Sequence, residues 1–114
     1  MLILPIKRQW FDMILSGEKK EEYRKIKPYY HTRFKNAGLL KGPDEGTAVM
    51  FRNGYSNDSP SFVAEVYLTE EEGNPDWGAE EDTIYYVLHI VKIVSTYKCE
   101  AGLQKESEEI EYDY

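Results

Sequence analysis

Cysteine is nearly absent from this chain of 114 residues. Its single copy, Cys99, excludes an intrachain disulfide and a cysteine-based zinc site. Histidine is almost as scarce. His31 and His89 lie far apart without ligand spacing, so no metal is expected. No apolar run approaches the roughly 20 residues of a membrane span. Met1 to Ile6 is too short for a secretory leader, and Lys7 and Arg8 follow it directly. A cytoplasmic protein with no membrane partner is the expectation. There is no P-loop, no dinucleotide fingerprint, no serine elbow and no internal repeat, and no cofactor is expected. Positive charge is also thin, and it is unevenly spread. The net charge is −7, yet residues 1–55 carry a balance of +5 and residues 56–114 one of −12. An acidic chain is a poor coat for nucleic acid, because phosphate contacts supply most of that affinity. The basic half still permits a local positive surface for a nucleotide-sized anion.

What is present suits one compact domain able to bury about two thirds of its unfolded surface. Leu2 to Ile6 reads as a short strand, with Pro5 suited to an edge or an end. Lys7 to Ser16 has helical spacing: Trp10 and Ile14, and Phe11 and Leu15, are four apart around Met13. Gly17 is placed to end that helix in a left-handed conformation. Glu18 to Lys25 reads either as a continued helix with Glu21 and Lys25 paired, or as a strand. The strand is preferred, because the apolar stripe stops at Gly17. It would set Lys20, Glu22 and Arg24 on one face and Lys19, Glu21 and Tyr23 on the other. Lys19 and Glu22 then converge only if Lys19 is still in the turn.

Pro28 suits a first helical turn, with Tyr30 and Phe34 on one face and Gly38 as the stop. Thr47 to Arg52 is a strand ended by Asn53-Gly54. Ser61 to Thr69 alternates as a strand. Glu70 to Asp82 reads as an acidic loop, where Trp77 suits a lid or a barrel cap. Thr83 to Val94 is apolar on both faces, as in a central or barrel strand, and makes His89 a core histidine. The domain is expected over residues 1–98. Residues 99–114 form an acidic tail, either a frayed helix or disordered. About five short strands and two early helices give an α+β fold with a partly closed sheet or barrel.

Chemistry concentrates at Gly17-x-Lys19-x-x-Glu22-x-Arg24. A lysine in a desolvated cleft can lose its proton near neutrality, and a neighbouring carboxylate can trade protons. Lys19 and Glu22 are therefore candidate acid–base groups; most Lys–Glu neighbours, however, are solvated pairs worth little. Arg24, with Lys20 beside it, suits either a phosphate or carboxylate ligand or a structural pair with Glu22 that closes the barrel mouth. Tyr29, Arg52, Asn53 and Tyr55 are candidates for stacking on a base and reading its edges. Tyr30 at helical spacing reads as core.

The octapeptide, placed after a strand and helix, resembles the signature of the ASCH domain, and the likeness runs from about Ile3 to Val94. That resemblance implies a PUA-like small mixed β-barrel with helices near a cleft, and RNA or a modified nucleotide as the ligand. Some members resemble amidohydrolases of N4-acylated cytidine, in which the motif lysine works with a threonine and a distal glutamate; others resemble ribonucleases. Lys19 matches that lysine, Glu22 departs from the threonine, and Glu65 is a candidate distal carboxylate. The readings are thus a nucleotide- or RNA-binding module, a small hydrolase using Lys19 and Glu22, or an interaction protein using the acidic tail.

Overall fold

A computed structural model describes residues 1–41 and 46–99. The acidic tail from Glu100 onward lies outside the described residues. β1 (Leu2–Pro5) leads into α1 (Arg8–Leu15), β2 (Glu21–Lys25) and α2 (Pro28–Asn36). β3 (Thr47–Arg52), β4 (Ser61–Glu72) and β5 (Ile84–Tyr97) follow. Single 3-10 turns lie at Leu39–Lys41 and Pro75–Trp77. The strands form one five-stranded sheet in the order β1-β3-β4-β5-β2. β1 runs parallel to β3, and every other pair is antiparallel. The sheet curls into a half-barrel, an α+β fold compatible with the expected small mixed barrel.

The curl has a local cause. The β4–β5 register shifts between Val63 and Ala64, and again between Glu65 and Val66. Such bulges bend a strand and raise its twist. The concave side is filled by Phe11, Phe34, Phe51 and Phe62, with Leu4, Ile6, Val49, Val66 and Leu88. Phe62 packs 5.0 Å from Phe11 and 5.1 Å from Phe51 between ring centroids. Burying each such side chain contributes about 2 kcal/mol. A smaller cluster of Ala79, Tyr85 and Val87, with Tyr23 against it, packs beneath the segment after β4.

The sheet's two edge strands, β1 and β2, meet through a side chain. Arg24 of β2 donates from Nη2 to the Pro5 carbonyl of β1 at 3.0 Å. Pro5 ends β1, an edge strand, where a missing donor costs little.

Three expectations change in detail. β4 extends to Glu72 and β5 to Tyr97, so the acidic loop starts later than charge alone suggests. Only the first half of β5 is buried on both faces; Val91, Val94 and Tyr97 are exposed. His89 is not a core histidine. It lies half-buried, stacked 4.4 Å from the Tyr67 ring, with Glu21 and Glu71 at 3.6 and 3.2 Å. It pairs in register with Glu21 of β2, which accounts for its polar surroundings.

Candidate functional site

The turn after α1 makes the site. Gly17 takes φ +85°, a left-handed conformation that other residues adopt at a cost. The Lys19 amide then donates back to the Met13 carbonyl at 2.9 Å. β2 begins only at Glu21, so Lys19 is still in the turn and escapes strand alternation. Its side chain swings to the Glu22 side. Nζ reaches Glu22 Oε1 at 3.0 Å, and Glu22 Oε2 accepts from Arg24 Nη2 at 2.7 Å. The three side chains form a buried +, −, + cluster.

Lys19 is 1% exposed, an unusual state for a lysine. Its ammonium donates to the Trp77 carbonyl and lies 4.4 Å from the Trp10 ring centroid and 5.2 Å from that of Tyr23. Burial pushes its pKa below the ordinary lysine value. The Glu22 carboxylate opposes that shift and Arg24 adds to it. Burial likewise pushes the Tyr23 hydroxyl well above its usual range.

The other wall comes from the segment after β4. Tyr23 Oη accepts from the Asn74 amide at 2.9 Å and donates to Glu21 Oε1 at 2.8 Å. Asn74 Oδ1 caps the turn that carries Trp77. Gly78 follows at φ +103°, and a Cβ there would meet Trp10 Cζ2 at 2.9 Å. Only glycine lets this segment approach α1 so closely. Between α1, the Lys19 turn and this segment lies a cleft of about 240 Å³, lined by Lys7, Trp10, Lys19, Glu22, Tyr23 and Trp77.

No family model, curated protein or solved structure matches the chain. The site must therefore be read from its own geometry.

Of the residues singled out in the sequence, Lys19, Glu22 and Arg24 come together. Lys20 is exposed, and its carbonyl accepts from the Ile90 amide instead. Tyr29 and Tyr55 share a separate groove beside β1 and α2. Asn53 is used in the fold: Nδ2 donates to the Ile6 carbonyl at 3.0 Å, and its amide to Pro60 at 2.9 Å. Arg52 lies along Met50, with Nη2 3.7 Å from the sulfur. Glu65 pairs with Lys92 at 3.6 Å and does not line the Lys19 cleft. Sequence reading assigned Trp10 to a core stripe, since helical spacing cannot show that one ring of the stripe borders a cleft. The two glycines flanking Trp77 were the available signal for the opposite wall.

Chemically, the cluster is a network of charges that bond one another. Both Glu22 oxygens are already engaged by cations, which leaves no ready base. Lys19 presents a desolvated donor between two aromatic rings. Such a cation polarises or anchors an acceptor more strongly than one in water.

Proposed function

We propose that this chain is a binding module of the ASCH type with a PUA-like barrel, taking a nucleotide-sized ligand in the Lys19 cleft. The ligand class is RNA or a modified nucleotide. The observation that carries this reading is the buried Lys19–Glu22–Arg24 cluster set against the rings of Trp10 and Tyr23. A heterocycle offers a flat face to such rings and a carbonyl acceptor to the ammonium. A cleft of about 240 Å³ suits one base or a nucleoside fragment better than a folded polymer.

Both tryptophans of the chain, Trp10 and Trp77, line this cleft. Their fluorescence is therefore a direct reporter. Titration with plain nucleosides, N4-acetylcytidine and short single-stranded RNA is expected to quench it saturably. Lys19→Met is expected to weaken binding by about tenfold, the loss of one charge-assisted hydrogen bond. Absence of quenching by every one of these would refute the reading.

A second reading, a hydrolase of a modified nucleoside or RNA, rests on the burial of Lys19 beside Glu22, which lowers its pKa and eases loss of its proton. It predicts turnover of N4-acetylcytidine or RNA that falls by orders of magnitude in Lys19→Arg. A binder shows no turnover in either form.

A further inference from the structure

A groove of about 310 Å³ runs beside β1 and the start of α2. Its lining has a distinct composition. Lys27 and Arg33 supply cations, Tyr29, Tyr30 and Tyr55 supply rings, and among the described residues no carboxylate lines it. Lys27 Nζ lies 5.8 Å from the Tyr29 centroid and 5.4 Å from that of Tyr30. The Arg33 guanidinium lies 4.8 Å from Tyr29. Among the described residues neither cation has an acidic partner within salt-bridge distance. That is notable in a protein of net charge −7, where a carboxylate is easily found. Tyr29 is 56% exposed and Tyr55 64%, so two rings face solvent around the cations.

The groove and the Lys19 cleft are connected through Arg24. Pro5 lines the groove, and its carbonyl accepts from the same Arg24 Nη2 that holds Glu22. Arg24 also lies 5.9 Å from the Tyr30 centroid. One guanidinium thus bonds a residue of each: Pro5, which lines the groove, and Glu22, which lines the cleft.

We infer that this groove is a second subsite, taking the phosphate and adjoining base of a nucleotide whose neighbour occupies the Lys19 cleft. The inference rests on the binding reading above and extends it: the ligand is a phosphate-bearing strand or strand end, not a free nucleoside. Two cations without an acidic partner among the described residues suit one phosphodiester or phosphomonoester. Solvent-facing tyrosines suit an unstacked base without selecting its identity. Dinucleotides and 5′-monophosphates share this chemistry, and the experiment separates them.

The test uses the full chain with cytidine, cytidine 5′-monophosphate, the dinucleotide CpC and inorganic phosphate. Tryptophan quenching reads the Lys19 cleft, and amide shifts of Tyr29, Arg33 and Tyr55 read the groove. CpC is expected to bind at least tenfold more tightly than cytidine and to move both sets of signals. If cytidine 5′-monophosphate matches CpC, the phosphate alone supplies the gain; if only CpC gains, the second base is required. Either outcome supports the subsite. Lys27→Ala and Arg33→Ala are surface changes expected to leave cytidine quenching unchanged. Each is expected to remove the gain and lower the salt dependence of CpC binding, by a log–log slope of up to about 0.7 for one phosphate contact. Quenching by cytidine and CpC with equal affinity and no groove shifts overturns the subsite while the binding reading stands. Groove shifts without quenching overturn both the shared ligand and the Lys19 reading. Inorganic phosphate producing the full groove shift, with no gain for either nucleotide, reduces the groove to an anion site and overturns the proposal.

Discussion

At the scale of single residues, Glu22 is the most exposed to consequence. It bridges two buried cations, and removing it leaves Lys19 and Arg24 facing each other. Glu22→Ala is expected to lose about 3 to 5 kcal/mol, as when one partner of a buried pair is deleted. Lys19→Met should cost clearly less, because Glu22 keeps Arg24. Urea unfolding of both variants checks the order, and a Lys19→Met loss as large as that of Glu22→Ala would contradict it. Lys19 also links stability to pH. Its folded pKa lies below the unfolded value of 10.5, so the unfolded chain holds the extra proton between those two values. Stability therefore rises with pH across that window, and the penalty of burying the charge is fully present below it. Tyr23, raised above its unfolded value, works in the opposite sense above about pH 10. The difference between wild type and Lys19→Met isolates the lysine contribution; unfolding midpoints at pH 7 and pH 10 should show wild type gaining on the variant. The crowding of charge at these residues was legible in the octapeptide. Their convergence was legible only as a condition on where the strand begins, because one residue of register decides which face Lys19 joins.

At the scale of elements, the segment after β4 decides whether a cleft exists at all. Gly78 combines a positive φ with a Cβ position already occupied by Trp10. Gly78→Ala is expected to push the segment away from α1 and to lengthen the Lys19–Trp77 hydrogen bond. Ligand affinity should fall by about tenfold or more, with a shifted tryptophan emission maximum and a small change in melting temperature; an unchanged spectrum and affinity would show that the approach is not needed. The elements themselves were largely legible. Thr47 to Arg52 ends where Asn53-Gly54 says it should, and α2 starts at Pro28 and stops before Gly38. The ends of β4 and β5 were not, because Glu70 to Glu72 look like loop residues. They continue the ladder opposite Ile84, Tyr85 and Tyr86, where pairing outweighs their low strand preference.

At the scale of the molecule, the half-barrel has two free edges, and Arg24 ties them. Backbone bonds join β1 to β3 and β2 to β5, whereas the link between β1 and β2 is the guanidinium on the Pro5 carbonyl. Arg24→Met is expected to cost about 1.5 to 3 kcal/mol, the range for hydrogen bonds to charged groups. Hydrogen exchange should quicken at Leu2 to Leu4 and at Glu21 to Tyr23 more than in β4; uniform quickening would mean that Arg24 supports the core generally and not the edges. A curled sheet of about five strands was readable from strand count and spacing. The pairing order was not, since β1 joins β3 across an inserted strand and two helices, and no local pattern encodes so distant a partner.

The Lys19 ammonium grips the Trp77 segment by a main-chain carbonyl, an atom that every residue type carries. Selection acting on this contact is therefore blind to the side chain at 77 and sensitive to the length of chain between β4 and Gly78. A changed side chain at 77 leaves that acceptor in place, whereas one residue more or fewer displaces it. An insertion between Asn74 and Gly78 should be more damaging than a substitution of Trp77, a pattern that a deep insertion and substitution scan would reveal.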